Sequence, residues 1–118
     1  MSAEANVCWK VGETWRIDAT MHDSLNAPLD LTGATVFWRL TNSRGVILQT
    51  LSIGSGIVLV NGGIDGECII TTTPAMQSSM GIVPGVYPHE AQVILPDGTY
   101  TDQFAGFIQA SSSLFPLP

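Results

Sequence analysis

A chain of 118 residues is one domain in size, long enough to enclose one core. Hydrophobic residues make up 45% of it, charged residues only 12%, and the formal net charge is −6. With four cations in all (Lys10, Arg16, Arg39 and Arg44), the sequence has no basic stripe to displace counterions from phosphates, which argues against nucleic acid and anionic membrane surfaces as partners.

The opening Met-Ser-Ala-Glu-Ala lacks the basic and apolar regions of a signal peptide, and no apolar run approaches membrane-spanning length. The expectation is a protein made and kept in a cytoplasm, where Cys8 and Cys68 stay free, buried thiols. No CxxC pair suggests a zinc site.

Residues 1–11 read as an N-terminal arm outside the strand pattern. Thr14 to Met21 is the first expected strand, with Trp15, Ile17, Ala19 and Met21 on one face. A polar loop, His22 to Pro28, follows. Ala34 to Thr41 is the second strand, with Val36, Trp38 and Leu40 inward. Asn42-Ser43-Arg44-Gly45 turns it into a strand over Val46–Ser52, and Gly54-Ser55-Gly56 breaks the chain. Ile57 to Val60 is apolar on both faces, and Asn61 to Gly66 supplies residues suited to a tight reversal. Glu67 to Thr73 places Cys68, Ile70 and Thr72 on one side. Pro74 to Met80 is the single plausible helix, started by proline and stopped by Gly81. Gly85 to Leu95 and Tyr100 to Ala110 are the last strands, joined by Pro96-Asp97-Gly98-Thr99. Seven strands at this spacing predict an all-β sandwich over 12–110, with 111–118 as an apolar, proline-containing C-terminal tail.

Polar chemistry is thin. His22 and His89 lack a spaced third ligand; the first reads as a solvated loop histidine, the second as one near the sheet surface. His22, Asp23 and Ser24 match a catalytic triad in composition only. The loop aspartates lack calcium-loop spacing and suit turns. Trp15 and Trp38 share their strands' inward parity, whereas Trp9 precedes the first strand and is a candidate contact residue. The expectation is therefore a non-enzyme with no cofactor and no metal.

Several segments taken in order carry a resemblance: Gly12-Glu13-Thr14-Trp15; Ala27-Pro28-Leu29-Asp30-Leu31-Thr32-Gly33-Ala34-Thr35-Val36; Thr73-Pro74-Ala75-Met76; Pro84-Gly85-Val86-Tyr87; and Pro96-Asp97-Gly98-Thr99-Tyr100. This succession, over about Gly12 to Ala110, resembles the small immunoglobulin-like structural domains of tailed bacteriophages, closest to the N-terminal domain family of the phage baseplate upper protein and similar stand-alone virion proteins. The resemblance implies an immunoglobulin-like antiparallel β-sandwich of about seven strands, with one short helix before the penultimate strand. It also implies a structural protein of the virion, a homo-oligomer and scaffold or attachment module in the tail, baseplate or fibre region, assembled in the bacterial host cytoplasm. Alternatives are a capsid decoration or neck protein and, in another class, a receptor- or carbohydrate-binding module. In any assembly the apolar residues outside the strands, Val7, Trp9, Leu114, Phe115 and Leu117, are the expected contacts with other virion proteins, because each is costly to leave in water.

Overall fold

A computed structural model describes residues 3–4 and 6–112. The chain order is β1 (Ala3–Glu4), β2 (Val7–Lys10), β3 (Trp15–Thr20), β4 (Thr35–Thr41), β5 (Ile47–Ile53), β6 (Gly56–Leu59), a left-handed turn at residues 60–63, β7 (Glu67–Thr72), α1 (Pro74–Met80), β8 (Gly85–Ile94) and β9 (Tyr100–Ser111). Seven of these strands, β3 to β9, correspond to the seven strands expected from the sequence, with ends shifted by a residue or two.

The ladder runs β9-β8-β4-β5-β6-β7-β3, with β1 and β2 both on the outer edge of β9. One leaf is thus β5-β4-β8-β9 extended by β1 and β2, and the other is β6-β7-β3. This is the strand arrangement of an immunoglobulin-type sandwich. The leaves are continuous through a corner at Gly54–Gly56, where β5 and β6 pair in parallel over Ser52↔Gly56 and Ile53↔Ile57. With β1 and β2 also parallel to β9, the sheet is mixed, where antiparallel pairing alone was expected.

Both leaves feed one core. Trp15, Ile57, Cys68 and Ile70 come from the smaller leaf, and Val36, Trp38, Leu40, Leu51, Ala91, Val93 and Ile108 from the larger. Trp15, Cys68, Ile70, Val36, Trp38 and Leu40 are on the face that alternation predicts for them, because a half-buried strand sends alternate side chains to opposite sides. In β6 parity divides two apolar neighbours: Ile57 is buried and Val58 is 62% exposed.

The connections are held by local chemistry. Thr73 caps α1 by accepting the Met76 amide at 3.2 Å, Pro74 opens the helix, and Gly81 ends it in the left-handed region at φ 70°. Gly66 closes the reversal before β7 at φ +76°, where a Cβ would stand 2.6 Å from the Met21 carbonyl oxygen. After the helix, the buried Tyr87 hydroxyl donates to the Val83 carbonyl at 2.7 Å and accepts from the Val83 amide at 3.0 Å. A tyrosine at the start of this strand, bonded to backbone a few residues upstream, is the corner device of immunoglobulin-type sandwiches.

Two expectations are corrected here. Within the N-terminal arm, Val7–Lys10 do not lie outside the strand pattern: they form β2, which continues the domain's own sheet, with Val7 opposite Ile108 and Trp9 opposite Ala110. Nothing in the alternation signals this, since β2 is four residues long and its partner lies about a hundred residues away. His89 is not near the sheet surface. It is 3% exposed, and its Nδ1 accepts a hydrogen bond from Trp38 Nε1 at 3.0 Å. It stands two residues past the corner tyrosine, the position at which antibody domains carry one half of their inter-sheet disulfide beside a tryptophan. Here an imidazole–indole pair across β8 and β4 fills that space.

Candidate interaction surface

The expected contact residues separate. Val7 and Trp9 are half-buried against their own core, and the Trp9 ring stacks on Trp15 at 5.6 Å and 21°. The turn after them is fastened from three sides. Trp15 Nε1 donates to the Lys10 carbonyl at 2.9 Å, and the buried Gln77 side chain accepts from the Gly12 amide at 2.9 Å and donates to the Glu13 carbonyl. Leu114, Phe115 and Leu117 lie outside the described residues.

The outer face of the larger leaf is less regular. Pro88 sits inside β8, a strand paired on both sides, and a proline there has no N–H for the ladder. Pairing between β4 and β8 runs from Thr35↔Ile94 to Leu40↔His89 and stops just short of it. Thr41 Oγ1 donates to the Pro88 carbonyl at 3.3 Å instead. On the other side of β4 the register with β5 shifts at the same level, from Leu40↔Gln49 to Thr41↔Ile47, a bulge that leaves Leu48 as the extra residue. Next to β8, Gly106 pairs with His89 and shares its inward parity, whereas Phe107, opposite Pro88, faces out.

The result is a groove of about 470 Å³ bounded by Arg39, Thr41, Pro88, Glu90, Gly106 and Phe107. Phe107 forms one wall and is 52% exposed. The register Phe107–Pro88–Thr41–Ile47 carries an apolar stripe across four strands, and Val86, also exposed, extends it along β8. Arg39 and Glu90 border it 4.0 Å apart, and the Arg39 guanidinium also lies 5.9 Å from the Phe37 ring centroid. A partly exposed ion pair of this kind adds little to stability and instead sets which charges an incoming surface meets.

At one end of the sandwich a smaller hollow of about 220 Å³ is bounded by His22, Asp23, Ser24, Tyr100, Asp102 and Gln103. Gln103 bridges it to β9 by accepting the His22 amide at 2.8 Å and donating to the His22 carbonyl at 3.1 Å. Asp23 Oδ1 accepts the Leu25 and Ala27 amides, so the His22-Asp23-Ser24 segment is a capped turn and not a triad. Tyr100 bonds the Gln92 amide oxygen through its hydroxyl and is half exposed. Asp30 and Asp97 hold their own turns, each through hydrogen bonds from the threonine two residues on, and those bonds draw both carboxyls below the usual value.

Among the described residues, no three His, Cys, Asp or Glu side chains converge as metal ligands. Both cysteines are free, but only Cys68 is buried; Cys8 is exposed on β2, which corrects the expectation for that thiol. Burial pushes the Cys68 thiol up to about 11. Of the groove, only the interrupted ladder was within reach of sequence reasoning, signalled by a proline inside the Gly85–Leu95 run.

No family model matches the sequence, and no curated protein matches it. Among solved structures, the chain is similar to CopC from Methylosinus trichosporium OB3b at 10% identity and a TM-score of 0.48, over 94% of this chain and 90% of that one. It is also similar to a chain in a structure of ICOS in complex with ICOS-L and an anti ICOS-L VNAR domain, at 12% identity and a TM-score of 0.50. That match covers 95% of this chain but spans only 56% of the other. Identities this low speak to the fold alone. Together with the strand order and the tyrosine corner, the second likeness shows an immunoglobulin-like β-sandwich.

Proposed function

We propose that this chain is a structural subunit of a tailed-phage virion, a scaffold or attachment module of the tail, baseplate or fibre region. The observation that carries this is the outer face of the larger leaf. It holds an open groove and the exposed apolar side chains Phe107, Val86 and Ile47, on a chain with few charges to keep such a face in water. The sequence resemblance over Gly12 to Ala110 supplies the kind of assembly, and a sandwich with a single fused core suits a part whose work is to hold position.

The test is direct. Particles released from a host that expresses the chain are banded on a density gradient, probed for it by mass spectrometry, and reconstructed. Density for the sandwich in the tail or baseplate is the expected result. Density on the capsid lattice would make it a decoration protein, and its absence from purified particles would overturn the proposal.

A second function is favoured by the hollow at His22 and Tyr100, where a half-exposed aromatic ring sits beside Asp23, Asp102 and Gln103. An aromatic face flanked by carboxylates and amides suits a sugar, and a glycan array would show saturable binding that Tyr100→Ala abolishes.

A further inference from the structure

We propose that the open edge of β3 pairs antiparallel with β3 of a second copy of this chain, centred on Ile17, so that Arg16 of each chain stands opposite Asp18 of the other. This goes beyond the reading of the chain as a virion subunit and does not depend on it.

β3 ends the ladder on the side away from β9, and among the described residues β7 is its one strand partner. Backbone parity says which of its groups are open. The Met21 amide donates to the Gly66 carbonyl at 2.8 Å, one step beyond the pair Thr20↔Glu67. Bonded and non-bonded pairs alternate along an antiparallel ladder. Trp15, Ile17 and Ala19 therefore bond to β7, and Arg16, Asp18 and Thr20 turn their N–H and C=O groups to the open side. Among the described residues, no loop or turn backbone bonds to those groups.

The strand lacks the usual guards of a sheet edge. It holds no proline, pairs with β7 without a register shift, and carries its charges on the outer face, clear of an incoming strand. Ile17 and Ala19, on the inward face, are only partly buried and form an apolar rim that a further strand would cover.

Charge selects both the occupant and the register. Arg16 Nε and Asp18 Oδ1 lie 2.8 Å apart, with side chains 58% and 67% exposed. Two edges of this parity bond only when outward-turned residues face each other, so a two-fold axis must pass through a residue. An axis at Arg16 sets arginine against arginine, and one at Asp18 sets aspartate against aspartate. A parallel alignment in register does both. At Ile17 the axis places Arg16 opposite Asp18 on both sides, with the two Ile17 side chains meeting in the close, non-bonded pair. Each internal ion pair then becomes half of an alternating cluster across the seam. The contact is isologous, so it closes at two copies and joins their smaller leaves into one sheet.

Sedimentation velocity on the full-length protein tests this. The wild type should form a dimer and nothing larger as concentration rises, and added salt should weaken it. Arg16→Asp and Asp18→Arg each set like charges opposite one another, and each alone should weaken pairing at least about ten-fold with the melting temperature kept. An equal mixture of the two variants restores opposite charges only between chains, so it should form a one-to-one heterodimer. Arg16→Glu and Asp18→Lys repeat the design should either first variant melt early. A monomeric wild type, species that grow beyond a dimer, single variants that pair like wild type, or a mixture that stays monomeric would each overturn the inference. These readouts use the isolated protein, so their failure is distinct from absence of the chain from particles.

Discussion

Replacing Trp38 measures how far the sandwich depends on the pair at its centre. The ring is 1% exposed on β4, and its Nε1 donates to His89 Nδ1 on β8 at 3.0 Å, a bond that requires an unprotonated Nδ1. His89 in turn packs edge-on against Phe104 of β9 at 5.7 Å, so one side chain ties three adjacent strands. Trp38→Ala removes most of a large buried side chain and should cost ~3–5 kcal/mol. That is a large share of the ~5–15 kcal/mol that holds a domain together. At about 4 °C per kcal/mol for a domain of this size, the melting temperature should fall by roughly 12–20 °C. Trp38→Phe keeps an aromatic ring but removes the indole donor to His89 Nδ1, at about 1–3 kcal/mol. Urea unfolding of Trp38→Phe, His89→Leu and the double variant should show a coupling energy of about 1–2 kcal/mol, because the second substitution no longer breaks the bond the first has removed. An alanine variant that melts within a few degrees of wild type, or single effects that simply add, would refute the inward register of β4 and the imidazole–indole pair together.

Three other outcomes follow from the geometry. In native protein one thiol per chain, Cys8, should react quickly with a disulfide reagent at pH 8, and Cys68, buried and raised to about 11, should react only after denaturation; two fast thiols would contradict this. Deleting the first ten residues should lower stability by ~2–3 kcal/mol in chemical unfolding, since it removes β2 with half-buried Val7 and Trp9, whereas a free arm would be lost at no cost. Asp30 holds its turn as a carboxylate with a depressed pKa, so its contribution is fully present above the ordinary carboxylate value and is lost as pH falls through the lowered one. Asp30→Ala should therefore differ from wild type in melting temperature at neutral pH and converge with it in strong acid.

Most of the core was legible because parity is a strong signal wherever one strand face is dry and the other wet. The alternations Trp15–Met21, Val36–Leu40 and Cys68–Thr72 each specify an inward face, and α1 carries both of its boundary residues in the sequence. Parity also put His89 in line with Tyr87, Ala91 and Val93; only its polarity suggested the surface, and Trp38, a partner 51 residues away, is what makes its burial tolerable. The β2 strand was illegible for a different reason. A parallel pairing needs no adjacent turn, so nothing local announces it. As for the surface, Pro88 was visible in the sequence, but the bulge at Leu48 and the Phe107 ring beside it meet only in three dimensions.

The parallel seam between β2 and β9 also governs how the protein bears load. The chain enters beside Phe104 and leaves past Ser111, so its two ends point in opposite directions along the same pair of neighbouring strands. Tension applied between them slides β2 along β9 instead of peeling it away. The backbone bonds of the seam must then give way together, with the Trp9–Trp15 stack and the Gln77 clasp behind them, before the sandwich opens. Linked end to end, or anchored at one terminus and pulled at the other, this domain would resist stretching with its strongest geometry.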